Sequence, residues 1–253
     1  MGRTLLRAGF ATAAMTVLLA GCGTSAPRPE FNQAASPQPM PSAQPSASAA
    51  ASPSASPSAK PKPTKNAPVL QRGGGTFHTA AGGTEIVGSA GSLRRYQVQV
   101  EKGITAFDTD GFAAKVDEIL SDDRSWIASK KWRLQRVGPG ESPNFYVKLA
   151  TPDTVDRLCG QVGLITNGIF SCRAGSNVVI NLRRWTNGAD GFTDMEVYRY
   201  MVINHEVGHF LGHGHVFCPG KGRLAPVMQQ QTKSLQGCKA NPYPYPDGVH
   251  YVG

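Results

Sequence analysis

Four of the six histidines in the chain lie between positions 205 and 215. On a helix, His205 and His209 would be one turn apart, about 6 Å along the axis, with both imidazoles pointing the same way. Two imidazole nitrogens at this spacing can bind one zinc ion at about 2 Å each. Glu206 would lie beside the ion, one residue round the helix, where its carboxylate can accept a proton from bound water. These residues predict a catalytic zinc site.

The third zinc ligand has to come from beyond the helix. Gly212 favours the end of the helix, because glycine readily adopts a left-handed conformation, and the chain can then turn back to bring His215 to the ion. Three protein nitrogens leave one position open for water, as in catalytic zinc sites. His213 is the alternative ligand, because a helix continuing past Gly212 would align it with His209. Gly212 and Gly214 both favour a broken helix, so we prefer His215, and His213 is then expected to be a solvated surface residue.

Apolar patterning predicts the elements that position these side chains. Residues 96–100 alternate between apolar and polar and predict a half-buried strand, and residues 145–149 and 178–182 predict two more. Residues 109–120 carry apolar side chains on one helical face.

The histidine helix is predicted to begin near Asp194, where Thr193 and Glu196 have capping-box spacing, and to run towards Leu211. Its opposite face would pack on the core and hold the ligand face outward. That face consists of Ile203, Val207, Phe210 and Leu211.

The first residues predict export. Arg3 and Arg7 precede a short apolar stretch at 8–19, and Leu19-Ala20-Gly21-Cys22 follows. The last four residues resemble a bacterial lipobox, in which the cysteine is lipidated and becomes the new N-terminus. The apolar stretch is too short for a transmembrane helix. We therefore expect residues 1–22 to be a lipoprotein signal peptide, and Cys22 to anchor the protein to the outer face of the cell membrane, or the protein to be extracellular if shed.

Composition divides the rest of the chain. Residues 23–72 are dominated by Pro, Ser and Ala and have few large apolar side chains, so they predict a disordered, extended tether. Residues 73–253 are long enough for one globular domain with a buried core.

The formal net charge of +9 is compatible with an anionic membrane or cell wall. The basic residues are scattered and no nucleic-acid-binding motif occurs, so we expect no nucleic-acid partner. We expect a monomer.

Four cysteines remain besides Cys22, and an even number in an exported chain predicts disulfides. Of the three possible connectivities, we favour Cys159 with Cys172 and Cys218 with Cys238, because each pair encloses one short Gly-containing segment. The alternative is a zinc site of all four cysteines, but none has the short spacing that such sites use.

The pattern His-Glu-x-x-His-x-x-Gly-x-x-His at 205–215 resembles the zinc signature of the metzincin metallopeptidases. The resemblance implies an α+β catalytic domain with a twisted mixed sheet, a backing helix, an active-site helix and an irregular, disulfide-pinned C-terminal subdomain. It also implies a methionine turn under the zinc, for which Met228 is the candidate. Some metzincins carry a tyrosine where this chain has Gln230.

More closely, the chain resembles a family of secreted actinobacterial proteins that share a domain of unknown function and are grouped with the metzincins. This resemblance covers most of residues 80–250. It rests on Cys159, Cys172, residues 204–209, Cys218-Pro219-Gly220, residues 225–232 and Cys238.

The resulting hypothesis is a cell-surface zinc peptidase in which Glu206 is the general base and peptides or proteins are the substrates. Residues 178–182 are a candidate edge strand for pairing with an extended peptide. Three alternatives stay open: a zinc-stabilised binding lipoprotein without turnover, a cell-wall peptide amidase, and a Glu206 that only orients a ligand.

Overall fold

The computed structural model describes residues 66–253. The predicted signal peptide, its lipidation site Cys22 and residues 23–65 of the predicted tether lie outside the described residues. The last residues of that tether contact the domain: the Asn187 side chain exchanges hydrogen bonds of 3.1 and 2.9 Å with the backbone of Ala67, and Arg72 pairs with Asp153 at 2.8 Å. Within residues 66–253, no helix is both long and apolar enough to cross a membrane.

The described part of the chain forms an α+β domain. Its strands are β1 (Phe77–Thr79), β2 (Ser92–Glu101), β3 (Trp132–Arg136), β4 (Phe145–Ala150), β5 (Cys172–Ala174) and β6 (Asn177–Asn181). Its helices are α1 (Thr109–Ser121), α2 (Pro152–Gly160), α3 (Leu182–Asn187) and α4 (Met195–Phe210), with a short 3-10 helix at Trp126–Ser129.

The six strands form one open mixed sheet in the order β1-β2-β4-β6-β5, with β3 also paired to β2. Strands β2, β3, β4 and β6 run parallel, whereas β1 and β5 are antiparallel to their neighbours. Strand β6 is paired on both sides, so the expectation that residues 178–182 form a sheet edge is wrong. The edge on that side is the three-residue strand β5.

The period-two pattern of the strands divides the sheet into two faces. One face contributes Val98, Val147 and Ile180 to the main hydrophobic core, under α1 and α4. On the opposite face, Val179 packs with Val155 of α2 in a smaller cluster. The sheet thus separates α2 from the helix that carries the histidines.

The predicted strands at 96–100 and 145–149 and the helix at 109–120 are confirmed by β2, β4 and α1. Strand β6 confirms the third strand except for Leu182, which begins α3 because Asn181 caps that helix and accepts a hydrogen bond from the Arg183 backbone N–H. Helix α4 begins as predicted, but with a different cap. Asp194, not Thr193, accepts the hydrogen bond from the Glu196 backbone N–H at 2.8 Å.

Residues 211–253 contain no helix or strand, which confirms the irregular C-terminal part. Isolated bridges join Val216 to Gln229 and Leu224 to Lys239. The disulfide Cys218–Cys238 closes this region, and Cys159–Cys172 joins α2 to β5. The pairing is the nearest-neighbour connectivity predicted from the sequence.

Candidate metal centre

Three histidines converge at the end of α4. His205 and His209 lie one turn apart on the helix, with ring centroids 4.8 Å apart. The helix ends after Phe210, where Gly212 adopts the left-handed conformation (φ 98°). The chain then turns back, so that the His215 ring lies 5.3 Å from that of His205 and 4.6 Å from that of His209. One ligand nitrogen from each residue lies within 4.8 Å of the other two.

Backbone carbonyls orient two of the three imidazoles. His205 Nδ1 donates to the Val227 carbonyl oxygen and His209 Nδ1 donates to the His213 carbonyl oxygen, each at 2.8 Å. Since a carbonyl oxygen only accepts, each Nδ1 carries the proton and each Nε2 keeps its lone pair. The Nε2 atoms of His209 and His215 lie 3.0 Å apart. The lone pairs of His205 Nε2 and His209 Nε2 are therefore available to a metal ion.

Burial keeps the cluster neutral. It lowers the pKa of His205 to about 3, and the neighbouring His209 and His215 add to this effect. Burial also lowers the pKa values of His209 and His215. At neutral pH all three imidazoles are therefore unprotonated, which is the state that binds metal.

Glu206 follows the first histidine and faces the same cleft. Its side chain is buried, and its Oε2 atom has no hydrogen-bond partner among the described residues. Burial raises the pKa of Glu206 to about 8. A buried carboxyl group without a partner costs free energy, so its place beside three converging imidazoles calls for a functional explanation.

Met228 and Trp126 pack against α4 at Gly208. A Cβ atom at Gly208 would lie 2.5 Å from Met228 Sδ and 2.6 Å from Trp126 Cζ2, closer than real Cβ contacts allow. Met228 is fully buried. The glycine therefore lets both side chains contact the helix between His205 and His209.

The methionine segment also connects two of the histidines. The Val227 carbonyl holds His205, and the Met228 carbonyl accepts a hydrogen bond of 3.3 Å from the backbone N–H of Val216, next to His215. Val252 in turn holds this segment, since its carbonyl accepts a hydrogen bond of 2.9 Å from Val227 N–H. The irregular C-terminal part thus fixes the relative position of the histidines.

His213 does not belong to the cluster, and the expectation that it is a solvated surface residue is wrong. Its ring packs on Trp126, with centroids 4.5 Å apart, and its Nδ1 is hydrogen-bonded to Tyr251 Oη at 2.9 Å. The local sequence indicates neither partner, because Trp126 lies 87 residues and Tyr251 lies 38 residues away from His213 in the chain.

The cluster opens into a cleft of about 340 Å³. Its walls come from residues 164–173, from α4 and from residues 230–233, so that both Gln230 and the disulfide-bonded Cys172 line it. The predicted residues His205, Glu206, His209 and His215 all face this cleft.

A family model described as a protein of unknown function, DUF3152, matches residues 64–246, and the chain belongs to this family. No curated protein and no solved structure matches the chain. The family match agrees with the resemblance to proteins that share a domain of unknown function.

Proposed function

We propose that this protein is a zinc-dependent hydrolase that cleaves peptide bonds at the cell surface. The observation that carries the proposal is the convergence of three neutral imidazoles in an open cleft, beside a buried carboxyl group whose Oε2 atom has no hydrogen-bond partner in residues 66–253.

The donor set fits zinc. Nitrogens that share one zinc ion at about 2.0–2.1 Å in tetrahedral geometry lie about 3.4 Å from one another. The separation of 3.0 Å between the Nε2 atoms of His209 and His215 is close to this value. Three histidines, two of them with Nδ1 atoms hydrogen-bonded to backbone carbonyls, match the three-histidine ligand set of zinc enzymes that keep a fourth position open for water.

When bound, a zinc ion would supply a Lewis acid for the substrate carbonyl and lower the pKa of water at the open position. The protein would do the rest of the chemistry. The positive charge of the bound ion would favour the ionised form of the Glu206 carboxyl group. The carboxylate would then accept the proton of the attacking water and deliver it to the leaving amine.

Peptides are proposed as substrates on the resemblance of residues 205–215 to the metzincin signature and of Met228 to its methionine turn. The packing of Met228 below α4 and the irregular C-terminal part support that resemblance. With Gln230 in place of tyrosine, stabilisation of the developing oxyanion would fall to the metal and to other groups of the cleft.

Attachment to the membrane through Cys22, after removal of the residues that precede it, belongs to the same proposal. Two disulfides in the domain support it, because such bonds persist in oxidising compartments outside the cytosol. The Pro-rich residues of the tether would hold the domain away from the lipid, near the anionic cell wall.

The test measures cleavage of an internally quenched peptide library by the zinc-loaded full chain. The same assay is run on the Glu206→Gln variant and on a control variant, Glu85→Gln, whose substitution lies outside the cleft. The proposal predicts cleavage by the wild type and the control, with a loss of at least about 100-fold in Glu206→Gln. Equal cleavage by wild type and Glu206→Gln would overturn the mechanism. Zinc binding without cleavage of any peptide would favour a binding protein, and cleavage of peptidoglycan peptides alone would favour a cell-wall amidase.

A further inference from the structure

The cleft that holds the histidine cluster carries an unusual distribution of charge. Arg173 on β5 and Lys233 in the C-terminal part both line it, whereas Glu206 is the single acidic side chain among the described residues that line it. Both cations are exposed, so their charged groups are free to contact a molecule in the cleft.

Neither cation pairs with a carboxylate in residues 66–253. Arg173 forms no ion pair or side-chain hydrogen bond with any of these residues, and Lys233 makes one long hydrogen bond of 3.4 Å to the neutral amide of Gln230. Other basic residues differ: Lys115, Arg136 and Arg199 all pair with carboxylates. The charges of the two cleft cations are therefore not neutralised by acidic side chains of the described residues.

The two cations lie close to the histidines. The charge of Arg173 acts on His209, and that of Lys233 acts on His215, in each case in addition to the larger effect of burial on the histidine pKa. The ammonium of Lys233 also lies 5.3 Å from the centre of the Phe170 ring, on the opposite wall. A group that reaches the histidine cluster therefore passes near both positive charges.

The opposite wall adds an apolar surface. Leu164 and Ile165 line the cleft although they are 45% and 83% exposed. Together with Phe170 they line the same cleft as the two cations, so the cleft suits a ligand that carries both an apolar part and a negative charge.

From this arrangement we propose that Arg173 and Lys233 select substrates that carry a carboxylate next to the bond to be cleaved. A zinc ion in the cluster would strengthen the attraction by adding positive charge to the same cleft. The carboxylate can come from an Asp or Glu side chain or from the C-terminus of a short peptide. This inference rests on the proposed function, since only a hydrolase has a substrate. Recognition of a carboxylate can nevertheless be measured as binding, without turnover.

Binding is measured with the full chain carrying Glu206→Gln, which prevents turnover, and with fluorescent octapeptides that contain Glu or the isosteric Gln at each position in turn. At low salt, we expect the best Glu peptide to bind at least about tenfold more tightly than its Gln partner. Adding Arg173→Gln or Lys233→Gln should each reduce this ratio about threefold, and the double change should bring it close to one. Exposed cations outside the cleft supply matched controls, Arg95→Gln and Lys102→Gln, which should leave the ratio unchanged.

Each Glu and each Gln peptide is made with a free and with an amidated C-terminus. Tighter binding of the Glu peptide in the amidated pair assigns the carboxylate to a side chain. Tighter binding of the free than of the amidated form, in Glu and Gln peptides alike, assigns it to the C-terminus; both results support carboxylate recognition. Equal binding of Glu and Gln peptides together with equal binding of free and amidated forms, or a preference that persists in the double variant, would overturn it. Failure to cleave any peptide would refute the proposed function alone, because the binding ratio is measured in the absence of turnover.

Discussion

Replacing Gly208 by alanine should destabilise the domain, although alanine is the better helix former. Gly208 lies inside α4, where alanine gains about 1 kcal/mol over glycine from helix propensity. Against this, the new Cβ atom would lie 2.5 Å from Met228 Sδ and 2.6 Å from Trp126 Cζ2, and both side chains are buried. Overpacking of this kind costs about 1–3 kcal/mol, and two close contacts with buried side chains place the cost in the upper half of that range. We expect a net loss of about 1–2 kcal/mol, or roughly 3–6 °C in Tm.

The assay is urea unfolding of the full chain without added metal, followed by tryptophan fluorescence. Gly160→Ala is the matched control, because it is also a helical glycine but its Cβ atom would meet nothing within 4 Å. It should leave stability unchanged or raise it slightly.

A double-mutant cycle identifies the cause. If Met228 is the obstacle, Met228→Ala should make room for the new methyl group. The double variant should then be more stable than the sum of the two single effects implies, by about 1 kcal/mol. A Gly208→Ala protein as stable as the wild type, with additive effects in the cycle, would refute the described packing of Met228 under α4.

Three further changes test other parts of the account by urea unfolding. In the metal-free protein, the pKa of Glu206 lies above its unfolded value of 4.5, at about 8, so the wild type loses stability as the pH rises through this range. Glu206→Gln should therefore be more stable than the wild type at pH 9, by up to about 5 kcal/mol, and only slightly more stable at pH 4. An equal difference in stability at both pH values would contradict the burial of a carboxyl group without a partner in residues 66–253. Replacing Cys159 and Cys172 together by serine should cost about 3 kcal/mol, since the disulfide spans 13 positions, and an unchanged stability would show that it does not constrain the chain. Asn204→Asp should cost at least about 2 kcal/mol at pH 8, because the buried amide donates to the Pro242 carbonyl and a carboxylate cannot; a neutral effect would argue against this link between α4 and the C-terminal part.

Local sequence determines much of the candidate site. The spacing of His205 and His209 places both imidazoles on one helical face, and Gly212 ends that helix in the left-handed conformation that its type predicts. These features depend on residues within about one helical turn of each other, so they can be inferred from the pattern alone. The nearest-neighbour disulfides join cysteines only 13 and 20 positions apart, so they could also be inferred from the sequence.

The features of the site that the sequence does not predict depend on contacts between residues far apart in the chain. The carbonyl of Val227 orients His205, and Trp126 packs against both α4 and His213, but no local pattern indicates either contact. The edge position of β5 was missed for a different reason: a three-residue strand with one exposed side chain has too few residues to show alternation. The clearer apolar pattern of residues 178–182 therefore predicts β6, the partner of β5, as the edge strand.

The most direct test of the central claim is a competitive zinc titration of the full chain and of two single variants, His215→Ala and His213→Ala. We expect one zinc ion per wild-type chain. His215→Ala should weaken zinc binding by at least about 100-fold, because a ligand is lost. His213→Ala should weaken it by less than about tenfold, since the backbone carbonyl that holds His209 is retained. Absence of zinc binding by the wild type, or a larger loss in His213→Ala than in His215→Ala, would contradict the assignment of His205, His209 and His215 as the metal site.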